Sequence, residues 1–212
     1  MRALAVLAIV LAGCGSYSTY RTTRIAPRGE TKLLFAAQVS GARAPEEGIA
    51  PLPELVVGAR RGVGDRYEVQ ATGTLLPIKQ ATTGSLELAG KARLLEHGRW
   101  SIAAGAAAGY RLGHSGGAYV EGVFVSAPII GAVDLGKHQL VYSIVGGTQR
   151  WYASGARPVD TPFVGQSIGF VWQVARNWAV LPEVGVAYTP ADNFTSDDSR
   201  LFHVGIAAFQ SR

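Results

Sequence analysis

The chain has 212 residues, of which 48% are hydrophobic, 17% are charged and 27 are glycine, with a formal net charge of +5. That length holds one domain with a sizeable interior, and the charged fraction lies well below the roughly 25% of ordinary soluble chains. The basic residues are dispersed (Arg60, Arg61, Lys79, Lys91, Arg93, Arg111, Lys137, Arg150), which argues against a nucleic-acid partner, and a single cysteine excludes an intrachain disulfide.

The first element is a leader. Arg2 followed by the apolar run Ala3 to Ala12 has the charged start and short apolar middle of an export signal, and it is too short for the roughly 20 residues of a spanning helix. Leu11-Ala12-Gly13-Cys14 closes it and resembles the bacterial lipobox, in which small residues precede a cysteine that becomes the mature amino terminus. The resemblance implies a lipoprotein signal peptide over 1–13 and a diacylglyceryl thioether on Cys14. Acylation of the new amino group would follow, giving durable binding where a single acyl chain binds only marginally. Gly15, in place of an aspartate, implies passage to the outer membrane. The alternatives are an ordinary cleaved signal, or an uncleaved apolar start with a buried free cysteine. Residues 14–30 are polar and turn-rich and are expected to form a lipidated tether.

From residue 31 to the end, no convincing amphipathic helix is found. Stretches instead alternate large apolar residues with small or polar ones, the period-two signature of a strand with two unlike faces. Trp178, Val180, Pro182, Val184, Val186 and Tyr188 oppose Ala179, Leu181, Glu183, Gly185 and Ala187. Trp100, Ile102, Ala104 and Tyr110 likewise oppose Ser101, Ala103, Gly105 and Arg111. Ten strands are predicted, at about 31–41, 53–63, 66–76, 83–95, 99–112, 122–135, 138–152, 162–174, 178–189 and 199–210. Pro128 weakens the sixth, because proline cannot donate to a central ladder, and an eight-stranded count is the alternative. Tight junctions such as Glu96-His97-Gly98 and Gly136-Lys137-His138 alternate strictly with longer connections, so all short turns fall at one end.

This layout, over about residues 31–212, resembles the bacterial outer-membrane β-barrel proteins, specifically small barrels carrying a lipobox. The resemblance implies an all-β, up-and-down antiparallel transmembrane barrel with its bulky faces toward lipid. The chain departs from the family at its end, where Ser211-Arg212 stands in place of a terminal aromatic and Phe209 is the nearest substitute. The charges Glu68, Glu87, Lys91, Arg93, Arg111 and Glu183 share a face with small residues and are expected to line the lumen and pair there, since an unpaired buried ion costs several kcal/mol. A lipid-tethered periplasmic barrel with its large residues inside is the competing arrangement, because alternation alone does not say which face is wet.

Catalytic chemistry finds little support. His97 and His138 lie in short turns, His114 in a long connection beside Ser115, and His203 in the last strand, with no G-x-S-x-G elbow. Asp192, Asn193, Asp197 and Asp198 lack calcium-loop spacing. No cofactor, metal or catalytic residue is expected. The predicted partner is membrane lipid, reached through Cys14 and the barrel exterior. Two functional classes stay open: a structural or surface-interaction protein presenting the connections at 42–52, 153–161 and 190–198, and a small-solute channel.

Overall fold

The computed structural model describes residues 20–44, 48–78, 81–115, 118–153, 158–189 and 199–211; Cys14 and the acidic stretch 192–198 lie outside them. Among the described residues ten strands follow in chain order: β1 (Thr31–Ala44), β2 (Gly48–Gly62), β3 (Tyr67–Ile78), β4 (Ala81–His97), β5 (Trp100–Ser115), β6 (Ala118–Leu135), β7 (His138–Ala153), β8 (Val159–Ala175), β9 (Trp178–Thr189) and β10 (Ser199–Gln210). Each pairs antiparallel with its chain neighbours, and β1 pairs with β10, so the sheet closes on itself and leaves no edge. The protein is thus an all-β, ten-stranded antiparallel barrel. Eight strands are too few.

The short-turn end is built from three two-residue connections and the four-residue connection 63–66. Gly98 and Gly136 each take the first central position of their hairpin with φ of +59° and +73°, the left-handed region that favours glycine. At the other end the strands run further than the sequence suggests. β1 continues to Ala44 and β2 begins at Gly48, so most of 42–52 is strand, and Val159 opens β8 inside the expected 153–161 connection. A ladder of backbone hydrogen bonds needs no apolar pattern to continue, so alternation marks the half-buried part of a hairpin and not its tip.

Pro128 sits within β6 and is accommodated on one side only. Toward β7 it keeps its place opposite Val145, while toward β5 the register skips from Ala104–Ile129 to Ala107–Ser126. The missing N–H of proline accounts for that local gap.

Most large apolar side chains point outward, while the buried charges and amides share the interior with a minority of large apolar residues such as Ile130, Trp151 and Phe163. Leu86, Leu88, Ile129, Val164, Trp172 and Trp100 are all more than half exposed on the outside, whereas Glu54, Glu68, Gln139, Gln149 and Glu183 are buried within. A barrel stabilised by an apolar core in water has the opposite arrangement. Trp100 and Tyr110 on β5, and Trp178 and Tyr188 on β9, mark the two ends of the apolar outer face. Ten residues at about 3.3 Å each, tilted by about 40°, span about 25 Å, the height of an outer-membrane apolar band.

Candidate functional site: an occupied lumen

The lumen is built from the inward residue of every alternate position, and it contains a further piece of chain. Residues 20–28, expected as part of a tether, enter at the short-turn end. Arg28 bridges Gly62, where the Gly29 amide donates to the Gly62 carbonyl at 2.8 Å. From there the segment runs backward in sequence and upward in the barrel. The Ala26 amide donates to Glu68 at 2.8 Å, Arg24 pairs with Asp134 at 2.7 Å, and Thr23 shares a 2.6 Å hydrogen bond with Ser101. Arg21 then reaches Glu87 at 2.5 Å, near the middle of β4. Tyr20 is buried in a cluster with Leu34, Ala36, Leu181, Ala207 and Phe209.

Two wall glycines allow this approach. A Cβ on Gly62 would lie 2.0 Å from the Ala26 carbonyl oxygen, and one on Gly205 would lie 1.9 Å from the Tyr20 hydroxyl. One void between segment and wall, beside Arg60 and Phe209, measures about 20 Å³, room for about one water.

Each predicted lumen charge can now be placed. Glu68 and Lys91 pair at 2.9 Å across β3 and β4, and Lys91 also donates to the carbonyls of Thr22 at 2.7 Å and Arg24 at 2.9 Å. Glu87 is bound by Arg21, a partner outside the predicted set. Glu183 pairs with His203 at 3.1 Å, again between adjacent strands. Arg111 is buried and stacks its guanidinium over the Trp151 ring, 5.7 Å from the centroid. Arg93 stands at the short-turn rim, beside a register shift, and pairs with Glu96 at 3.0 Å. The pairs thus form between neighbouring strands, with the inserted segment and at the rim.

Other inward polar residues were not singled out by the sequence. Gln38 donates to Glu54, both buried, and Ser143 shares a 2.7 Å hydrogen bond with Ser167. Arg60 lies over Phe209, 4.9 Å from its centroid, and donates to the Gln210 carbonyl at 3.0 Å. Phe209 therefore faces the lumen and cannot act as an outward terminal aromatic. Period-two counting from Glu68 or Glu183 finds the inward faces of β3 and β9, yet Lys32, Gln38 and Glu54 lie in stretches where alternation with small residues is weak.

The remaining histidines are dispersed: His97 and His114 are exposed, and His138 packs against Phe170 with centroids 5.6 Å apart. Among the described residues no three His, Cys, Asp or Glu side chains converge on a metal site.

No family model matches the chain, and no curated protein is detectably related to it in sequence. Its likeness to solved structures is one of fold. The translocator domain of autotransporter NalP from Neisseria meningitidis aligns with 100% of this chain and 96% of its own at 10% identity, with a TM-score of 0.51. An outer-membrane channel from Pseudomonas putida F1 aligns over 89% of this chain and 97% of its own at 10% identity, with a TM-score of 0.57. The β domain of the Bordetella autotransporter BrkA covers 85% of this chain and 98% of its own at 11% identity, with a TM-score of 0.50. The chain has the fold of bacterial outer-membrane β-barrels.

Proposed function

We propose that this protein is an outer-membrane β-barrel kept shut by its own N-terminal segment, anchored additionally by lipid on Cys14, with a structural or surface-interaction role and no catalytic one. The observation that carries the closed state is the seat of residues 20–28: a segment bound by Lys91, Glu68, Glu87 and Asp134 occupies the space a solute would cross. Charges of both signs around it leave no single prevailing field, where a selective pore more often shows one sign along its constriction. The Pseudomonas neighbour is described as a channel, so conductance decides between the two readings.

In planar bilayers the wild-type protein should give little or no steady conductance, and a chain lacking residues 20–28 should open. Stable single-channel steps from the wild type, with selectivity shifted by changing Arg93 or Arg111, would promote the transport reading. The anchor is tested separately. A fatty-acid analogue should label the wild type in a bacterial host and lose that label in Cys14→Ala; a labelled mutant refutes lipidation at this residue.

A further inference from the structure

On the outer wall, near the short-turn end, β2, β3 and β4 form a groove of about 600 Å³ whose floor includes Ala59, Ala71 and Gly90 and whose sides are Val69 and Leu88. Its cause is local: Ala59, Ala71 and Gly90 stand outward between the larger Val57, Val69 and Leu88. Register places Arg61 opposite Val69, and Val69 opposite Gly90, so a cation sits at the edge of the depression. Arg61 is exposed, and among the described residues no acid bonds it, because Glu30 is taken by Lys32 at 2.5 Å and Glu68 by Lys91. Thr31 lies opposite Arg61 on β1 and adds a hydroxyl. The same rim carries exposed Arg66, Arg99, Lys137 and Arg176.

We propose that this groove is a binding site for an anionic phospholipid of the leaflet at the short-turn end, with one acyl chain along Ala59, Ala71 and Gly90 and the phosphate on Arg61. The inference rests on the membrane-embedded reading above. An acyl chain suits the groove because it is apolar, narrow and flexible and leaves no hydrogen-bonding group unsatisfied in the wall. A negative head suits the rim because cations near a membrane surface attract anionic lipid at about 1 kcal/mol each. The same end also carries exposed Glu30, Asp65 and Glu96, of which Glu30 and Glu96 are paired with Lys32 and Arg93.

The test uses purified full-length protein and dipalmitoyl phosphatidylglycerol, with phosphatidylcholine of the same chains as comparison, read by native mass spectrometry. One phosphatidylglycerol should be retained preferentially, and Arg61→Ala should weaken retention about fivefold while Arg61→Lys keeps most of it. Gly90→Leu should weaken both lipids by filling the groove. A Cβ at Gly90 meets nothing within 4 Å, so the new side chain starts into open space on the outer wall. Equal retention by Gly90→Leu and wild type, indifference to the head group, or a dimer that covers the groove and carries no lipid would each overturn the proposal. Insertion into phosphatidylglycerol vesicles, followed by protease protection, separates the two levels. Failure to insert removes the membrane reading and this inference with it, whereas normal insertion with unselective lipid retention removes the inference alone.

Discussion

An ammonium can be buried at Lys91 because three acceptors reach it: the Glu68 carboxylate and the carbonyls of Thr22 and Arg24. Removing one partner of a buried pair leaves the other uncompensated, at about 3 to 5 kcal/mol. Lys91→Met should therefore lower unfolding stability in urea by about that amount, and it should also loosen residues 20–28, read as faster proteolysis near Arg24. A loss of stability with the segment still protected would show that Lys91 serves the wall alone. Gly62→Val makes the complementary change, since its side chain would meet the Ala26 and Pro27 backbone. That variant should retain the barrel and acquire conductance; a closed Gly62→Val barrel would mean that the segment is not what blocks flow. The inward place of Glu68, Glu87, Lys91 and Glu183 was legible from period two. Their partners were only partly so, because Arg21 and Thr22 belong to a stretch whose polar composition reads the same in solvent as in a polar lumen.

At the scale of the strand, depth should govern tolerance. Val184 lies midway between Trp178 and Tyr188 on the outer face, and Val174 lies at the short-turn end of β8; both are about half exposed. A cation at the bilayer midplane costs about 2 to 4 kcal/mol and about 0 to 1 near an interface. Val184→Arg should thus impair folding into lipid vesicles far more than Val174→Arg, and equal penalties would argue against a bilayer around β9. The inward neighbour Gly185 is not a permissive control, although its small size suggests one. A Cβ there would stand 2.3 Å from the His203 ring and 2.7 Å from the Gln166 carbonyl oxygen. Apart from Gly62 and Gly205, which face residues 20–28, several inward glycines are spaces already taken by a neighbouring strand's side chain: Phe124 lies over Gly109, Trp151 over Gly122 and Phe163 over Gly147. Sequence shows the glycine and the aromatic but not that one covers the other, because the match depends on register between strands.

For the molecule as a whole, inside and outside can be told apart with tryptophan. Trp100 and Trp172 are more than half exposed on the outer wall, while Trp151 is buried in the lumen over Gly122. In vesicles containing brominated acyl chains, single-tryptophan variants retaining Trp100 or Trp172 should be strongly quenched, and the variant retaining Trp151 should not. Equal quenching at all three positions, or none at any, would contradict a barrel whose outer wall meets lipid.

By itself the sequence determined the places of ten candidate strands to within a few residues and the two unlike faces, because these follow from period-two alternation and from glycine at reversals, which are local properties; barrel closure then ruled out eight strands. Only the tertiary structure decided that most of the large apolar residues lie outside, since alternation is symmetric until the sheet curls and one face becomes concave. It also decided what fills that concave side. Residues 20–28 carry no apolar period and no motif, and their seat exists only where Gly62 and Gly205 make room and where Glu68, Glu87, Lys91 and Asp134 converge from three strands. Complementarity assembled from residues so far apart in the chain is a property of barrel closure, with no trace in any single stretch of sequence.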